Sequence, residues 1–238
     1  MTLQDRTAVI TGATGELGSV LARELAACGV KLVLLSRDAD KLDALATNLA
    51  IPESRVVKIP VDLLDYAATK AAARAVAARF GRIDILLHTV GGWTGGKTLL
   101  EAPPADLELM LNQHVWTSFN VVQSFLPYML NNGWGRIVMV TSPSATRPNP
   151  KGGPYAIGKA GQEALMLTLA QELRGTGVTA NLLQVKAIDV ERQKVAAPSA
   201  ENASWTTPEE ICAAVLFLLS DEASTINGAR IPLFGGYN

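Results

Sequence analysis

The sequence predicts an α/β fold built around a doubly wound parallel sheet. Segments with the apolar pattern of strands alternate along the chain with amphipathic segments of helical period, which is typical of that class. The strand segments are nearly continuous apolar runs, as in residues 30–35 (VKLVLL), and such runs favour parallel strands that are buried on both faces. No linker-like or low-complexity segment divides the 238 residues, so we expect a single domain spanning residues 1–238.

The alternation defines the expected elements in chain order. The expected strands lie near residues 6–11, 30–36, 55–60, 83–89, 135–142, 178–185 and 229–234. The expected helices lie near residues 16–28, 39–49, 66–80, 104–131, 156–174 and 208–220. Connections of this size between parallel strands imply right-handed crossovers. A ligand then belongs outside the carboxyl ends of the strands, where the strand order switches.

A glycine-rich turn separates the first strand from the first helix. Residues 7–10 (TAVI) are typical of a short buried strand, and apolar residues recur at helical spacing after the turn. Gly12, Gly15 and Gly18 stand between them. Glycines let the chain turn tightly and let backbone N–H groups approach a phosphate at a helix N-terminus. The context predicts a dinucleotide-binding turn; an ordinary turn with glycines for packing is the alternative.

Three polar residues around the fifth strand have the spacing of a catalytic group. Ser142 ends the apolar strand segment 136–142, and Tyr155 and Lys159 lie four residues apart in a helical segment. Residues at that spacing share one helix face. A neighbouring ammonium is expected to lower the pKa of a phenol, which makes Tyr155 a candidate general acid and base near neutral pH.

Together these features resemble the short-chain dehydrogenase/reductase family in its compact single-domain form. The resemblance runs from Asp5 to Gly236, and its further landmarks are Gly91, residues 207–210 (TPEE), residues 226–228 (ING) and the glycine pair 235–236. It implies a Rossmann-like sheet of seven strands in the order 3-2-1-4-5-6-7, with the ligand between strands one and four. It also implies a homodimer or homotetramer, assembled through the helices near 104–131 and 156–174, whereas the cytoplasmic location that we expect follows from Cys28 and Cys212 being interpreted as reduced thiols.

The resemblance implies roles for individual residues. Tyr155 would exchange a proton with the oxygen of a small carbonyl or alcohol substrate, and Ser142 would hydrogen-bond that oxygen. Lys159 would lower the phenol pKa and hold the cofactor ribose. The residues with an implied cofactor contact are Gly12, Thr14, Gly15, Leu17, Gly18, Ser36, Arg37, Asp62, Leu63, Gly91, Tyr155, Lys159 and Ile188. Asp62 and Leu63 match the pair that contacts adenine.

The end of the second strand indicates which dinucleotide is bound. An acidic residue there would accept hydrogen bonds from the ribose of NAD(H) and repel a 2′-phosphate. This chain has Ser36 and Arg37 instead, and a guanidinium pairs well with a phosphate. We therefore expect NADP(H) rather than NAD(H). The alternative is that Arg37 is a solvated surface charge with Asp38 or Asp40 as its partner.

Several positions depart from the family pattern. Glu16 occupies a usual glycine position of the turn, and a carboxylate pointing inward would repel a pyrophosphate. The segment that usually reads Asn-Asn-Ala-Gly is here residues 88–91 (HTVG), and the usual Pro-Gly is Val185 and Lys186. Val190 replaces a threonine that contacts the cofactor. The nicotinamide end of the site is thus the least typical part of the chain.

His114 stands where the family places a catalytic asparagine. That asparagine holds a water in a proton relay to the lysine, and imidazole can substitute because it both donates and accepts hydrogen bonds. If His114 lies close to Lys159, it is expected to stay neutral at pH 7. Its protonation at lower pH would then produce an acid limb in the rate. The alternative is that His114 only packs beneath the sheet edge.

The segment 190–206 is expected to cover the substrate. Residues 191–194 (ERQK) favour a short polar helical turn, and residues 196–200 follow as a flexible stretch. Trp93 and Trp205 are candidates for the pocket mouth. Aromatic side chains serve packing more often than ligand contact, so a core or interface role is the favoured alternative for both.

Composition excludes several other classes of function. A net charge of −1 and a pI of about 6.1 give no reason to expect nucleic acid or an anionic membrane surface. Cys28 and Cys212 stand in apolar helical settings, where reduced thiols are expected, and with two histidines in the chain no metal site is predicted. No secretory signal or membrane span is recognised in the sequence.

Two classes of function remain after these arguments. The first is an NADP(H)-dependent oxidoreductase, which the retained Ser142, Tyr155 and Lys159 favour, since packing does not require that trio. The second is a family member that has lost turnover and serves as a dinucleotide-binding or scaffold protein, which the departures at the nicotinamide end favour. Epimerase chemistry would depend on the glycine spacing alone.

Overall fold

The structure is a computed structural model that describes residues 3–234. Its centre is one sheet of seven parallel strands in the order β3-β2-β1-β4-β5-β6-β7, so the expected fold and strand order are confirmed. The strands are β1 (Thr7–Thr11), β2 (Lys31–Ser36), β3 (Val56–Pro60), β4 (Ile85–His88), β5 (Gly135–Thr141), β6 (Val178–Gln184) and β7 (Arg230–Pro232). The glycine pair 235–236 lies outside the described residues.

Helices cover both faces of the sheet. They are α1 (Glu16–Ala27), α2 (Ala39–Leu49), α3 (Tyr66–Phe80), α4 (Pro104–Leu111), α5 (Thr117–Asn132), α6 (Gly153–Glu172), α7 (Gln193–Ala196) and α8 (Pro208–Leu219). Along β2, Leu32 and Leu34 join one core with α1, α2 and α8, while Val33 and Leu35 join the other with α3, α5 and α6. Successive strand residues point to opposite faces of the sheet, so the apolar side chains of one strand contribute to both cores. Each fully buried side chain of this size stabilises the fold by about 1.5–3 kcal/mol.

Polar residues at the helix starts fix where the elements begin. The carboxylate of Asp38 accepts from the N–H of Lys41 at α2, and Asp65 caps α3 in the same way. Thr207 and Glu210 form a reciprocal capping box at α8. Such caps are worth about 1 kcal/mol each. Because Asp38, Asp65 and Thr207 directly precede their helices in sequence, the starts of the three helices were predictable.

The helix predicted over residues 104–131 is interrupted, and this prediction was wrong at its centre. A π-helical turn, Asn112–Trp116, separates α4 from α5. The hydroxyls of Thr117 and Ser118 donate to the carbonyl oxygens of Gln113 (2.7 Å) and His114 (2.6 Å), which supports the distorted backbone. π-Helical turns occur frequently at functional sites, and this one carries His114.

Residues 3–234 contain no helix that is both long and apolar enough to cross a membrane.

Candidate active site

Three adjoining clefts open at the carboxyl ends of the strands, where the sheet order switches between β1 and β4. The first, called here the glycine-turn cleft, has a volume of about 280 Å³ and lies between the turn after β1 and the ends of β2 and β3. The second, the tyrosine cleft, has about 200 Å³ and contains Tyr155, Lys159 and His114. The third, the wide cleft, has about 980 Å³ and contains Ser142 and Tyr155. Thr89, Val90 and Gly91 line the first two, and Tyr155, Lys186 and Ala187 line the second and third.

The glycine turn needs glycine at two of its positions. Gly12 has φ of +68°, and a Cβ there would lie 2.9 Å from the hydroxyl of Thr89. A Cβ on Gly18 would lie 2.3 Å from the carbonyl oxygen of Gly12. Gly15 begins α1, and no side chain among the described residues caps this helix. The first N–H groups of α1 are therefore available to an anion, which is the property expected of a dinucleotide turn.

The other residues of the turn have distinct surroundings. The hydroxyls of Thr14 and Ser36 are 2.7 Å apart, which ties the turn to the end of β2. Leu17 buries its side chain in the core, so only its backbone can face a ligand. Glu16 is exposed and does not line the glycine-turn cleft. The helix dipole stabilises a carboxylate in the first turn of α1. Because Glu16 does not line the cleft, its carboxylate is not expected to repel a pyrophosphate there.

The ends of β2 and β3 bring four predicted residues into the glycine-turn cleft. Ser36, Arg37, Asp62 and Leu63 all line it. Among residues 3–234 Arg37 forms no ion pair, because the carboxylate of Asp38 contacts the backbone N–H and ammonium of Lys41 instead. The guanidinium of Arg37 is exposed at the cleft, where it can meet a phosphate.

Ser142, Tyr155 and Lys159 converge as the sequence predicted. Ser142 is buried directly after β5, where its hydroxyl accepts from the N–H of Ser144 (3.2 Å) and hydrogen-bonds Tyr155. Tyr155 stands in the first turn of α6, and Lys159 follows one turn later. The ammonium of Lys159 donates to the carbonyl oxygen of Val140 (2.9 Å) and to the side-chain oxygen of Gln162 (3.0 Å). Helix α6 thus carries Tyr155 and Lys159, and the end of β5 places Ser142 beside Tyr155.

The pKa of Tyr155 differs from the sequence expectation. Burial raises the pKa of the phenol above its ordinary value, and the hydrogen bond from Ser142 lowers it only in part. The expectation that Lys159 lowers this pKa is therefore not met in the structure. Burial disfavours the charged phenolate, and sequence spacing carries no information on burial. The phenol stays protonated at neutral pH.

Lys159 is itself perturbed by burial. Desolvation lowers the pKa of its ammonium to about 7, and the charge of Glu163, one turn further along α6, opposes the change. An ammonium that is only part-charged near neutral pH is a weaker electrostatic partner for Tyr155. It is also a group that can take up or release a proton near neutrality.

His114 occupies a tightly bounded position beside Lys159. A Cβ on Gly91 would lie 3.1 Å from Cε1 of His114, and a Cβ on Gly158 would lie 3.1 Å from its Cδ2. The absence of side chains at these two glycines lets the segment after β4 and helix α6 approach the imidazole ring closely. The ring stands edge-on to Tyr155, with centroids 5.5 Å apart. The Cβ on Gly91 would also lie 3.5 Å from Nδ1 of His114 and 3.8 Å from Nζ of Lys159. Both polar atoms therefore border the same small space.

The hydrogen bonds of His114 fix its tautomer. Its Nε2 lies 3.0 Å from the carbonyl oxygen of Gly92, which can only accept, so Nε2 carries the proton. Nδ1 is buried and finds no partner among the described residues, which leaves a lone pair facing the space beside Lys159. Burial and the charge of Lys159 lower the pKa of His114 to about 3. The ring is neutral at pH 7 as expected. The fall in rate that was expected on protonation of His114 would, however, occur only near pH 3, below the pH range of ordinary activity assays.

The second histidine lies beneath the site rather than in it. His88 ends β4, fully buried, with Nδ1 2.8 Å from the hydroxyl of Thr11 and Nε2 3.5 Å from that of Thr117. It therefore links β1 to the start of α5. Burial, then the charges of Lys159 and His114, lower its pKa to about 3.

Acid is expected to destabilise the protein through these two histidines. Each histidine has a pKa of about 3 in the folded protein and about 6.5 in the unfolded chain. Between pH 3 and pH 6.5 the proton therefore binds only to the unfolded state, and stability is lost as the pH falls below about 6.5. From pH 6 to pH 5 the two rings together should lower the free energy of unfolding by about 2 kcal/mol. In His88→Asn the loss should be about half as large. Urea denaturation at both pH values measures the difference, and an equal loss in the variant would contradict the assignment.

Residues 185–188, which include the departures Val185 and Lys186, form a continuous stretch of the wall of the tyrosine cleft. Val185, Lys186, Ala187 and Ile188 all line the tyrosine cleft, whereas Val190 lies outside it. The helical turn expected at residues 191–194 begins two residues later, as α7 (Gln193–Ala196). Trp93 and Trp205 both line the wide cleft and neither is buried, so neither has a core role, while an interface role stays a prediction.

Sequence reasoning missed several side chains around the site. Thr89 and Gln113 line the glycine-turn cleft, and Gln162 holds the ammonium of Lys159. Glu163, fully buried, accepts from the hydroxyl of Thr141 (3.0 Å), next to Ser142. The signal for Gln162 and Glu163 was available, since they lie three and four residues after Lys159 and thus one helical turn from it.

Comparisons with known proteins agree with this geometry. Residues 6–200 match the family model described as short chain dehydrogenase. The chain is 32% identical to D-threitol dehydrogenase of Mycolicibacterium smegmatis, over 99% of this chain and 94% of that protein. It resembles the solved structure of a short-chain type dehydrogenase/reductase from Mycobacterium ulcerans with a TM-score of 0.90 and 26% identity, over 99% and 90% of the two chains. A 3-ketoacyl-(acyl-carrier-protein) reductase from Brucella melitensis, solved in complex with NADH, shares the fold at a TM-score of 0.87 and 23% identity, over 98% of each chain.

Proposed function

The chain belongs to the short-chain dehydrogenase/reductase family, and we propose that it is an NADP(H)-dependent oxidoreductase acting on a carbonyl or secondary alcohol. The observation that carries this proposal is the convergence of Ser142, Tyr155 and Lys159 where the tyrosine cleft meets the wide cleft. A scaffold protein has no use for a buried lysine beside a phenol. The continuity with the glycine-turn cleft supports a dinucleotide that extends from Arg37 to Tyr155.

The residues present fit a dinucleotide. The uncapped N-terminus of α1 suits a pyrophosphate, and Asp62 and Leu63 border the space expected for adenine. Gly91 and Ile188 border the tyrosine cleft, where the nicotinamide would lie against Lys159. When bound, the nicotinamide supplies or accepts the hydride.

The protein's own groups then handle the proton and the substrate oxygen. In reduction, Tyr155 gives its phenolic proton to the carbonyl oxygen, and its raised pKa keeps that proton in place at neutral pH. Ser142 donates a hydrogen bond to the same oxygen. Lys159 supplies the proton that replaces the one lost by Tyr155, and its pKa of about 7 allows this near neutrality. A water between Nζ of Lys159 and Nδ1 of His114 would extend this path.

NADPH is expected to bind more tightly than NADH, and Arg37→Ala should remove the preference. The guanidinium would pair with the 2′-phosphate. Because Arg37 is exposed, we expect this contact to contribute about 1.5 kcal/mol, the lower end of the range for charge-assisted hydrogen bonds. That free energy corresponds to roughly tenfold in affinity. Calorimetric titration of both nucleotides into both proteins measures it. The NADH affinity should change little.

The matched control is Arg79→Ala, which removes an exposed arginine of α3 outside the three clefts. Equal affinities for the two nucleotides in the parent protein would refute the NADP(H) preference and leave the oxidoreductase proposal in place. Binding of neither nucleotide would favour the scaffold alternative.

We also propose a homodimer or homotetramer with a cytoplasmic location. Support for assembly comes from exposed apolar side chains on α4, α5, α6 and the π-helical turn, namely Leu109, Trp116, Phe119 and Ile157. The rings of Trp116 and Phe119 are in edge contact, with centroids 6.2 Å apart, and adjoining exposed apolar side chains favour association. Sedimentation equilibrium tests this part of the proposal.

A further inference from the structure

The wide cleft carries an excess of positive charge. Its lining includes three basic side chains, Arg147, Lys186 and Arg230, and one acidic side chain, Glu201. The remaining lining is uncharged and includes polar, aromatic and small aliphatic residues. Glu163 lies behind the wall, where it forms an ion pair with Arg230. With that carboxylate counted, the described residues named here contribute three positive and two negative charges.

Of these three basic residues Lys186 is the one that borders the catalytic group, because it lines both the tyrosine cleft and the wide cleft, as does Tyr155. Neither Arg147 nor Arg230 reaches the tyrosine cleft. A substrate whose carbonyl oxygen meets Tyr155 therefore presents its neighbouring atoms to the ammonium of Lys186.

The backbone around Lys186 is held on both sides. The N–H of Val185 donates to the carbonyl oxygen of Thr141 (3.0 Å), and the N–H of Thr206 donates to that of Ala187 (3.0 Å). The ammonium of Lys186 donates to the hydroxyl of the buried Ser204 (2.9 Å). The position of this charge is thus set by the fold, and pre-placed charge is what recognition of an anion requires.

We propose that the substrate is an oxo acid or the corresponding hydroxy acid, whose carboxylate binds Lys186 while its reacting carbon lies at Tyr155. This inference rests on the proposed oxidoreductase function and names its substrate class. Arg147, an exposed residue of the same cleft wall, adds to the field that attracts the carboxylate. An ammonium contributes a compact point charge rather than a bidentate fork, so the carboxylate can approach it from more than one direction.

The test compares acids with their methyl esters, which differ in charge but hardly in shape. The probes are 2-oxobutanoate, 3-oxobutanoate and 4-oxopentanoate, whose carboxylates lie one, two and three bonds from the carbonyl carbon, each with its methyl ester and NADPH. For at least one pair we expect kcat/KM of the acid to exceed that of the ester by about tenfold or more, as for one desolvated charge contact. The preferred member reports the distance from Tyr155 to the carboxylate site.

Variants then assign the preference to Lys186. Lys186→Met should lower the acid-to-ester ratio of kcat/KM towards one, and Lys186→Arg should retain most of it, because the charge remains. Lys70→Met is the matched control, since Lys70 is an exposed lysine of α3 that lines none of the three clefts. An equal fall for acid and ester in Lys186→Met would show a structural role and overturn the assignment.

The outcomes separate this inference from the proposed function. Turnover of esters as fast as of acids in the parent protein overturns the oxo-acid proposal and leaves the oxidoreductase intact. If no probe is turned over, the three acids are titrated calorimetrically into the NADPH-loaded protein, and binding no tighter than that of their esters overturns the proposal. Failure of the protein to bind either nucleotide, by contrast, removes the proposed function itself.

Discussion

Tyr155→Phe is expected to lower kcat between a hundredfold and ten-thousandfold, in whichever direction a substrate is found. The substitution removes the only hydroxyl proposed to exchange a proton with the substrate, and positioned proton transfer contributes an effect of this size. The ring itself remains, so its edge contact with His114 and its packing in α6 are retained. Steady-state kinetics on the first carbonyl or alcohol substrate identified will measure the loss, with the melting temperature as the check on folding.

The matched control for this variant is Tyr66→Phe. Tyr66 is an exposed tyrosine at the start of α3, outside the three clefts, so the same chemical change there should leave kcat unaltered. Nucleotide binding by Tyr155→Phe should stay within a few-fold of the parent, because the phenol is proposed to act on the substrate. A Phe variant with undiminished kcat would place the general acid elsewhere.

The sheet and its order followed from sequence because they depend on pattern. Runs such as that of β2 must be buried on both faces, and their alternation with amphipathic segments leaves few topologies. The centre of the helix predicted over residues 104–131 was not foreseeable in the same way. Its π-helical turn packs against α6, and a Cβ on Gly158 of α6 would lie 2.8 Å from the carbonyl oxygen of Met110 in the adjoining α4. That contact joins residues distant in sequence.

The candidate site, like the fold, was predictable from the sequence only in part. Spacing and strand position were enough to bring Ser142, Tyr155 and Lys159 together. The charge states were not readable, since they depend on desolvation, and burial moves the pKa of Lys159 to about 7 while raising that of Tyr155. A motif thus predicts which groups meet, and the packed fold decides which of them are charged.

The role of His114 combines both kinds of information. Its place in the sequence suggested a relay partner for Lys159, and the structure adds a lone pair on Nδ1 that borders the same space as the ammonium. A ring that served packing alone would have no need for a buried nitrogen without a partner, because such a nitrogen costs about 1–3 kcal/mol. A bridging water that passes protons would account for it.

His114→Leu is expected to slow turnover by about a hundredfold, the lower end of what positioned proton transfer contributes. Leucine fills much of the ring's volume but cannot accept a hydrogen bond from a bridging water. His114→Asn should lie much closer to the parent, since an amide oxygen can accept in the same place. Comparison of kcat for the three proteins at pH 7–8, with nucleotide affinity as the check on the site, measures the effect.

The pH profile separates a relay from a packing role. Because the pKa of His114 is lowered to about 3, the ring stays neutral from pH 8 to pH 5, so His114→Asn should leave the shape of the profile unchanged in that range. The titration that governs the profile should instead be that of Lys159, with a pKa of about 7. In His114→Leu that pKa should fall further, because leucine removes the Nδ1 acceptor of the proposed bridging water and leaves the ammonium less well stabilised. Equal rates and equal profiles in all three proteins would mean that the ring only fills space, and that the proton reaches Lys159 by another path.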